Sequence, residues 1–296
     1  MEQARVFTDD ELVALARSPR QEVVDSLADA DQLTATLRKV IGRYEGVMVG
    51  LRTWVATILA FVAETSGIDG LTAALHAEAP FLQRAAVSAP PATADDISAH
   101  AAGGSGDEAI RQWDALESYY RIHHDWWVDR VSVLLSHVYR TQGVDGLERS
   151  LRSTGRDFLL PWMPFDIQHP PRRRLRVWIE TAKGNMSTIG GIEEDDEKFT
   201  ITMDPCGSCG RQVAEREYPG PYDLAVIAED HPLSFGHGGT SVYRSHVAVI
   251  HHLIPLEQRG VPWPVIHCPG PRQGGPCRTF LFKDPDNRAA VDLLPG

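Results

Sequence analysis

The hydrophobic positions of this chain change their period about halfway along it. Up to Gly155, apolar residues recur every three or four positions, the spacing that gathers them on one helix face. The clearest run is Trp113, Leu116, Tyr120, Trp127, Val131, Leu134, Leu135 and Val138, on a helix expected from about Glu108 to Thr141. Earlier helices are expected from about Pro19 to Ala28 and from about Asp31 to Ser66. Their starts are chemically marked. Thr8 with Glu11 three residues later forms a capping box, and Phe7 with Leu12 forms a hydrophobic staple. Ser18 caps a helix with Pro19 in its first position, where the missing N–H costs nothing. Between the two long helices, residues 88–107 lack periodicity and read as a mobile loop.

From Gly155 onward the pattern is different. Pro161, Pro164, Pro170 and Pro171 argue against long helices. Leu175–Glu180 and Phe199–Met203 alternate at period two and read as strands, with later strands at Val261–Ile266 and Arg278–Lys283. Val242–Leu256 reads as a helix carrying His246, with a strand as the alternative. The acidic run Glu193–Glu197 reads as a solvated turn between strands. The expected class is α+β, with a helical bundle over residues 1–160 and a Cys/His-rich, β-containing domain over residues 161–296.

One helical pattern occurs twice. Phe61–Leu75 and His137–Leu151 align at an offset of 76, with seven of fifteen positions identical, including Gly67-Ile-Asp-Gly70 against Gly143-Val-Asp-Gly146. Each copy reads as a long helix, a glycine turn and a short helix, and two copies pack most simply as a bundle. Carried back along the helices, the offset pairs Ile41 with Glu117, Tyr44 with Tyr120, Met48 with His124 and Leu51 with Trp127. The second copy therefore places ionisable groups where the first is apolar. Burying an unpaired polar group costs roughly 2–7 kcal/mol, so these groups need a partner, a water or a chemical task.

Composition narrows the class of function. At 296 residues, 43% hydrophobic and 23% charged, the chain can build a sizeable core. Its net charge of −11 argues against nucleic acid or an anionic membrane as the main partner. The scarcity of Lys relative to Arg suggests a GC-rich bacterial genome. The N-terminus, Met1-Glu-Gln-Ala-Arg5, is polar, and the longest apolar run, Trp54–Ala63, is about half the ~20 residues of a membrane span. A soluble cytoplasmic protein is expected.

Cys206-Gly-Ser-Cys209-Gly210 has the form of a zinc knuckle, in which two thiolates can face one metal. Cys268 and Cys277 would complete a four-cysteine set. A glycine turn with small buried thiols is the alternative. Among the many C-terminal histidines, His246 and His237 are the candidates for acid–base work, and His231-Pro-Leu-Ser-Phe-Gly-His237-Gly-Gly is a loop able to close over a ligand. Glu117, Tyr120 and His124 share one helix face at i, i+3 and i+7. A carboxylate and an imidazole in a dry pocket can act as base and acid; a satisfied interhelical hydrogen-bond network is the competing reading. No phosphate loop, dinucleotide fingerprint or nucleophile-elbow serine is present in the sequence, so no nucleotide cofactor is expected.

The stretches His124–Tyr139, Gly143–Leu147, Asp204-Pro-Cys-Gly-Ser-Cys-Gly-Arg211 and His231-Pro-Leu-Ser-Phe-Gly236 resemble a large, mostly uncharacterised bacterial family with Cys-Gly-Ser-Gly-Gly-Arg and Cys-Thr-His-Cys motifs. Here Cys209 stands where that pattern has Gly, and the later motif reads Arg244-Ser-His246-Val247. The resemblance implies no reaction.

These features lead to the expectation of an enzyme that performs a non-redox step (elimination, hydrolysis or intramolecular displacement) on a small polar metabolite, within biosynthesis or specialised metabolism. Glu117 would be its base, His124 or His246 its acid, and the loop at His237 its lid. The alternative is a zinc-stabilised scaffold that binds a partner protein. A homo-oligomer is compatible with either.

Overall fold

The computed structural model describes residues 5–82, 89–215, 218–268 and 275–295. Met1–Ala4 and Ser88, which entered the reading of the N-terminus and the loop, lie outside them. The class is α+β: a helical N-terminal half followed by small antiparallel sheets. Helices α1 (Asp9–Ala16) and α2 (Pro19–Ser26) start where their caps require, with the Thr8–Glu11 capping box formed in full. Phe7 and Leu12 are both buried, as the staple demands.

Helices α3 (Ala30–Leu82) and α5 (Gly106–Thr154) carry the repeat. Each is broken at its glycine. Gly67 has φ 65° and ψ −165°, and Gly143 has φ 69° and ψ −169°. Side-chain-bearing residues pay for positive φ through a Cβ clash, so glycine sits at both breaks. The long arms run parallel and in register at the repeat offset. Tyr44 meets Tyr120 with ring centroids 5.4 Å apart, and Gln142 donates to Ser66 Oγ at 3.1 Å. Beyond Gly67 the chain turns back along α5. Phe81 stacks on Trp126, and the fully buried Glu78 accepts two hydrogen bonds from Arg130.

The stretch expected to be a loop contains a helix, α4 (Ala94–Ala102). Thr93 and Asp96 form a second capping box, and the single large apolar residue Ile97 is fully buried against α3 and α5. One anchor and a cap suffice for a two-turn helix, too short to show a period.

Leu175–Glu180 is the second correction. It lies in α7 (Pro171–Gly184), not in a strand. A strand would put Leu175, Val177 and Ile179 on one face, but Leu175 and Ile179 are buried while Val177 is exposed. Pro171 occupies the first turn of this helix, where proline starts a helix rather than ending one. Between α5 and α7 the chain forms a π-turn (Gly155–Leu159) and the short α6 (Met163–Ile167).

Strands β1 (Ile189–Glu194) and β2 (Lys198–Met203) leave a shorter turn than the expected Glu193–Glu197: Glu193 and Glu194 pair within the sheet, and the Glu194 carboxylate is buried against Lys283, 2.8 Å away, rather than solvated. Next come α8 (Cys209–Ala214), the short pair β3 (Val226–Ile227) and β4 (Thr240–Ser241), and a π-helix (Val247–Leu253) leading into α9 (Ile254–Arg259). This fulfils the helical reading of Val242–Leu256. Strands β5 (Val265–His267) and β6 (Cys277–Phe282) complete an antiparallel sheet of order β1-β2-β6-β5. Phe199, Ile201 and Leu281 of this sheet pack on Leu175 and Ile179 of α7 and on Phe7 and Leu12. The largest core joins both halves, with Trp54, Ile58, Val131 and Leu134 beside Cys206, Cys209, Tyr243 and Ile250.

Helix α3 is long and apolar enough, by length and composition alone, to cross a membrane. Its residues Leu51, Trp54, Val55, Ile58 and Phe61 are buried in the shared core.

Candidate functional site

The ionisable face of α5 is engaged within the helical bundle. Tyr44 donates to Glu117 Oε1 at 3.1 Å, and Tyr120 donates to Glu45 Oε1 at 3.2 Å. Burial raises the Glu117 carboxyl above its ordinary range. Burial, reinforced by Glu45, likewise raises the Tyr120 phenol. One turn on, His124 is buried, with Nδ1 2.9 Å from Asp125 Oδ1 and 3.1 Å from Arg211 Nη2. Arg211 also donates through Nε to Asp125 Oδ2 at 3.0 Å and through Nη1 to the Met186 carbonyl at 2.6 Å. His124 Nε2 is buried with no hydrogen-bond partner among the described residues. The expected dyad is thus two separate clusters: Glu117 with Tyr44, and His124 with Asp125 and Arg211.

The C-terminal histidines divide similarly. His237 is exposed, and its backbone carbonyl accepts from Thr240. His246 donates from Nδ1 to the Tyr243 carbonyl at 2.6 Å and packs edge-on to Trp54 and Tyr243. Burial lowers its pKa. His246 therefore belongs to an aromatic wall of the core.

A ligand-sized cavity of about 340 Å³ lies under the glycine loop, within the range of small-molecule sites. Its lining includes Asp230, His231, Phe235, His252, Leu253 and Leu256. None of Glu117, Tyr120, His124, His237 and His246 is among its lining residues. The loop is shaped by its own chemistry. His231 Nδ1 accepts from the Leu233 amide at 3.2 Å, and Ser234 Oγ accepts from the His231 amide at 3.0 Å. Phe235 and Gly236 then take positive φ, turning the phenyl ring toward the cavity and His252.

These bonds fix what the imidazoles present. With Nδ1 accepting, His231 carries its proton on Nε2. His252 Nε2 accepts from the Ile266 amide at 3.1 Å, so its proton is on Nδ1. Burial, with His251 and His267 nearby, pushes His252 down to about 3. It is therefore neutral at physiological pH. The cavity offers N–H donors on an apolar lining, with the Asp230 carboxylate at its exposed rim; Asp230 Oδ1 also accepts from the Gly238 amide at 2.8 Å. Sequence reading singled out this loop but not His252, because nothing in a lone His-His pair tells which imidazole lines a hollow.

The four cysteines are free thiols that meet one another. Cys206 and Cys209 Sγ are 3.9 Å apart, and Cys268 and Cys277 are close enough to influence their ionisation. No group of three or more His, Cys, Asp or Glu side chains in ready metal-holding geometry was found among the described residues. No protein-family profile, curated protein or solved structure matches the chain.

Proposed function

We propose that the protein acts on a small, largely apolar molecule carrying an acceptor oxygen, bound in the cavity under residues 230–236. The observation that carries this reading is the donor set. Backbone amides occupy the acceptor nitrogens of His231 and His252, so both rings can only donate toward a ligand. Neutral donors held on an apolar lining stabilise negative charge developing on a carbonyl or leaving oxygen. That favours a non-redox polar step (elimination, hydrolysis or intramolecular displacement), with Asp230 as the carboxylate at the rim. The catalytic role first read into Glu117 and His124 has less support, since both are held by partners away from this cavity. A soluble cytoplasmic setting goes with this proposal: the apolar residues of α3 are used in the core.

The test is a thermal-shift and calorimetric screen with small carboxylates and amides such as phenylacetate and phenylacetamide. Hits stabilise the wild-type protein and lose their effect in Leu256→Trp, which fills the cavity, and weaken in His252→Phe, which removes a donor. Turnover of hits is followed by mass spectrometry. Equal binding by wild type and Leu256→Trp rejects the site.

A further inference from the structure

The sheet topology draws the cysteines together from three segments distant in sequence. Met203 of β2 pairs with Cys277 of β6, which brings the turn at Cys206 beside the start of β6. His267 of β5 pairs with Arg278 of β6, so Cys268 and Cys277 lie next along that ladder. Cys209 opens α8 one turn after Cys206. Three of the four are buried, and all four lie in or against the largest core.

Three further observations describe the chemistry of this cluster. First, a tetrahedral zinc ion with Zn–S bonds of about 2.3 Å requires sulfurs about 3.8 Å apart, and Cys206 and Cys209 are 3.9 Å apart. A disulfide would require about 2.05 Å. Second, the Gly210 amide donates to Cys206 Sγ at 3.2 Å, the kind of bond that favours a thiolate. Third, the buried Arg244 guanidinium lies against Cys209 and within charge range of Cys268 and Cys277. Four thiolates around a divalent cation carry two negative charges, and a buried guanidinium offsets one of them.

We propose that Cys206, Cys209, Cys268 and Cys277 bind one thiophilic divalent metal ion of the zinc class, as a structural centre. Ligation would turn the thiols' lone pairs from one another to a common ion. Four protein sulfurs leave no open position for substrate, so the centre would fasten the 206–209 turn and the β5–β6 ends to the core. It does not rest on the reading of the 230–236 cavity.

The full-length protein, purified under reducing conditions without chelator, is analysed for metal by mass spectrometry. One zinc per chain is expected, with the four thiols protected from a thiol reagent until a chelator is added. Adding cobalt(II) to the metal-free protein should give intense thiolate-to-cobalt absorption, and adding zinc should raise its melting temperature. Cys268→Ser and Cys277→Ser should lower the zinc content, whereas Leu256→Trp should leave it unchanged, which separates this centre from the cavity. Where a cysteine variant fails to fold, the cobalt spectrum of the wild-type chain decides. A protein without zinc that takes up no thiolate-bound cobalt, one in which Cys206 and Cys209 form a disulfide, or a Cys277→Ser variant with full zinc would overturn the proposal.

Discussion

Two adjacent buried imidazoles should make this protein acid-sensitive at a pH where carboxylates are still silent. His251 donates from Nδ1 to the Trp263 carbonyl at 2.9 Å, and burial pushes it down to about 4 from an ordinary 6.5. His252 is pushed to about 3 for the same reason. Between these values and 6.5 the unfolded chain binds protons that the folded chain refuses. Stability is therefore full above pH 6.5 and falls as pH drops toward 4 and then 3. Moving from pH 8 to pH 5 removes about 2 kcal/mol per imidazole, or about 4 kcal/mol for the two. His123, His137 and His246 are also lowered by burial and add the same sign. A double variant isolates the pair. In His251→Asn the amide can still donate to Trp263, and in His252→Gln the side-chain oxygen can still accept from Ile266. Urea unfolding of both proteins at pH 8 and pH 5 gives the comparison. The variant should lose about 4 kcal/mol less than wild type over that interval. Equal losses would mean that these rings are not held neutral by the fold.

Gly67→Ala and Gly143→Ala should each cost about 1–2 kcal/mol by thermal unfolding. Nothing lies within 4 Å of where either added methyl group would sit, so the cost is conformational, and asparagine, whose tolerance of positive φ is confined to ψ near about +45°, should cost as much as alanine. Glu117→Gln keeps an acceptor for Tyr44 and removes a carboxyl whose pKa burial raises. It should increase stability at pH 8 more than at pH 4 and leave ligand binding in the 230–236 cavity unchanged; loss of that binding would return Glu117 to the site. Gly207→Ala would put its Cβ 1.5 Å from the Asn185 carbonyl oxygen, beside Cys206, so a loss of at least ~3 kcal/mol or a failure to fold is expected by circular dichroism.

Local chemistry determined much of this architecture. The caps at Thr8 and Ser18, the glycine breaks at Gly67 and Gly143, and the alternation of Phe199–Met203 act within a few residues, so they can be read along the chain. The repeat added more, because two similar units at a constant offset have similar reasons to pack. Tertiary contacts decided what a short window leaves open. Leu175, Ile179 and Lys183 satisfy both a strand and a helix pattern until the sheet and Glu22 are placed against them. α4 holds through Ile97 entering a groove made by two distant helices. The same limit applies to chemistry. Glu117 and His124 share a helix face by spacing, but whether such a face meets a hollow or the phenol of Tyr44 depends on what packs opposite. The cavity at His252 arises where a loop, a π-helix and the C-terminal segment fail to fill space together, and a void left by three distant segments has no signature in any one of them.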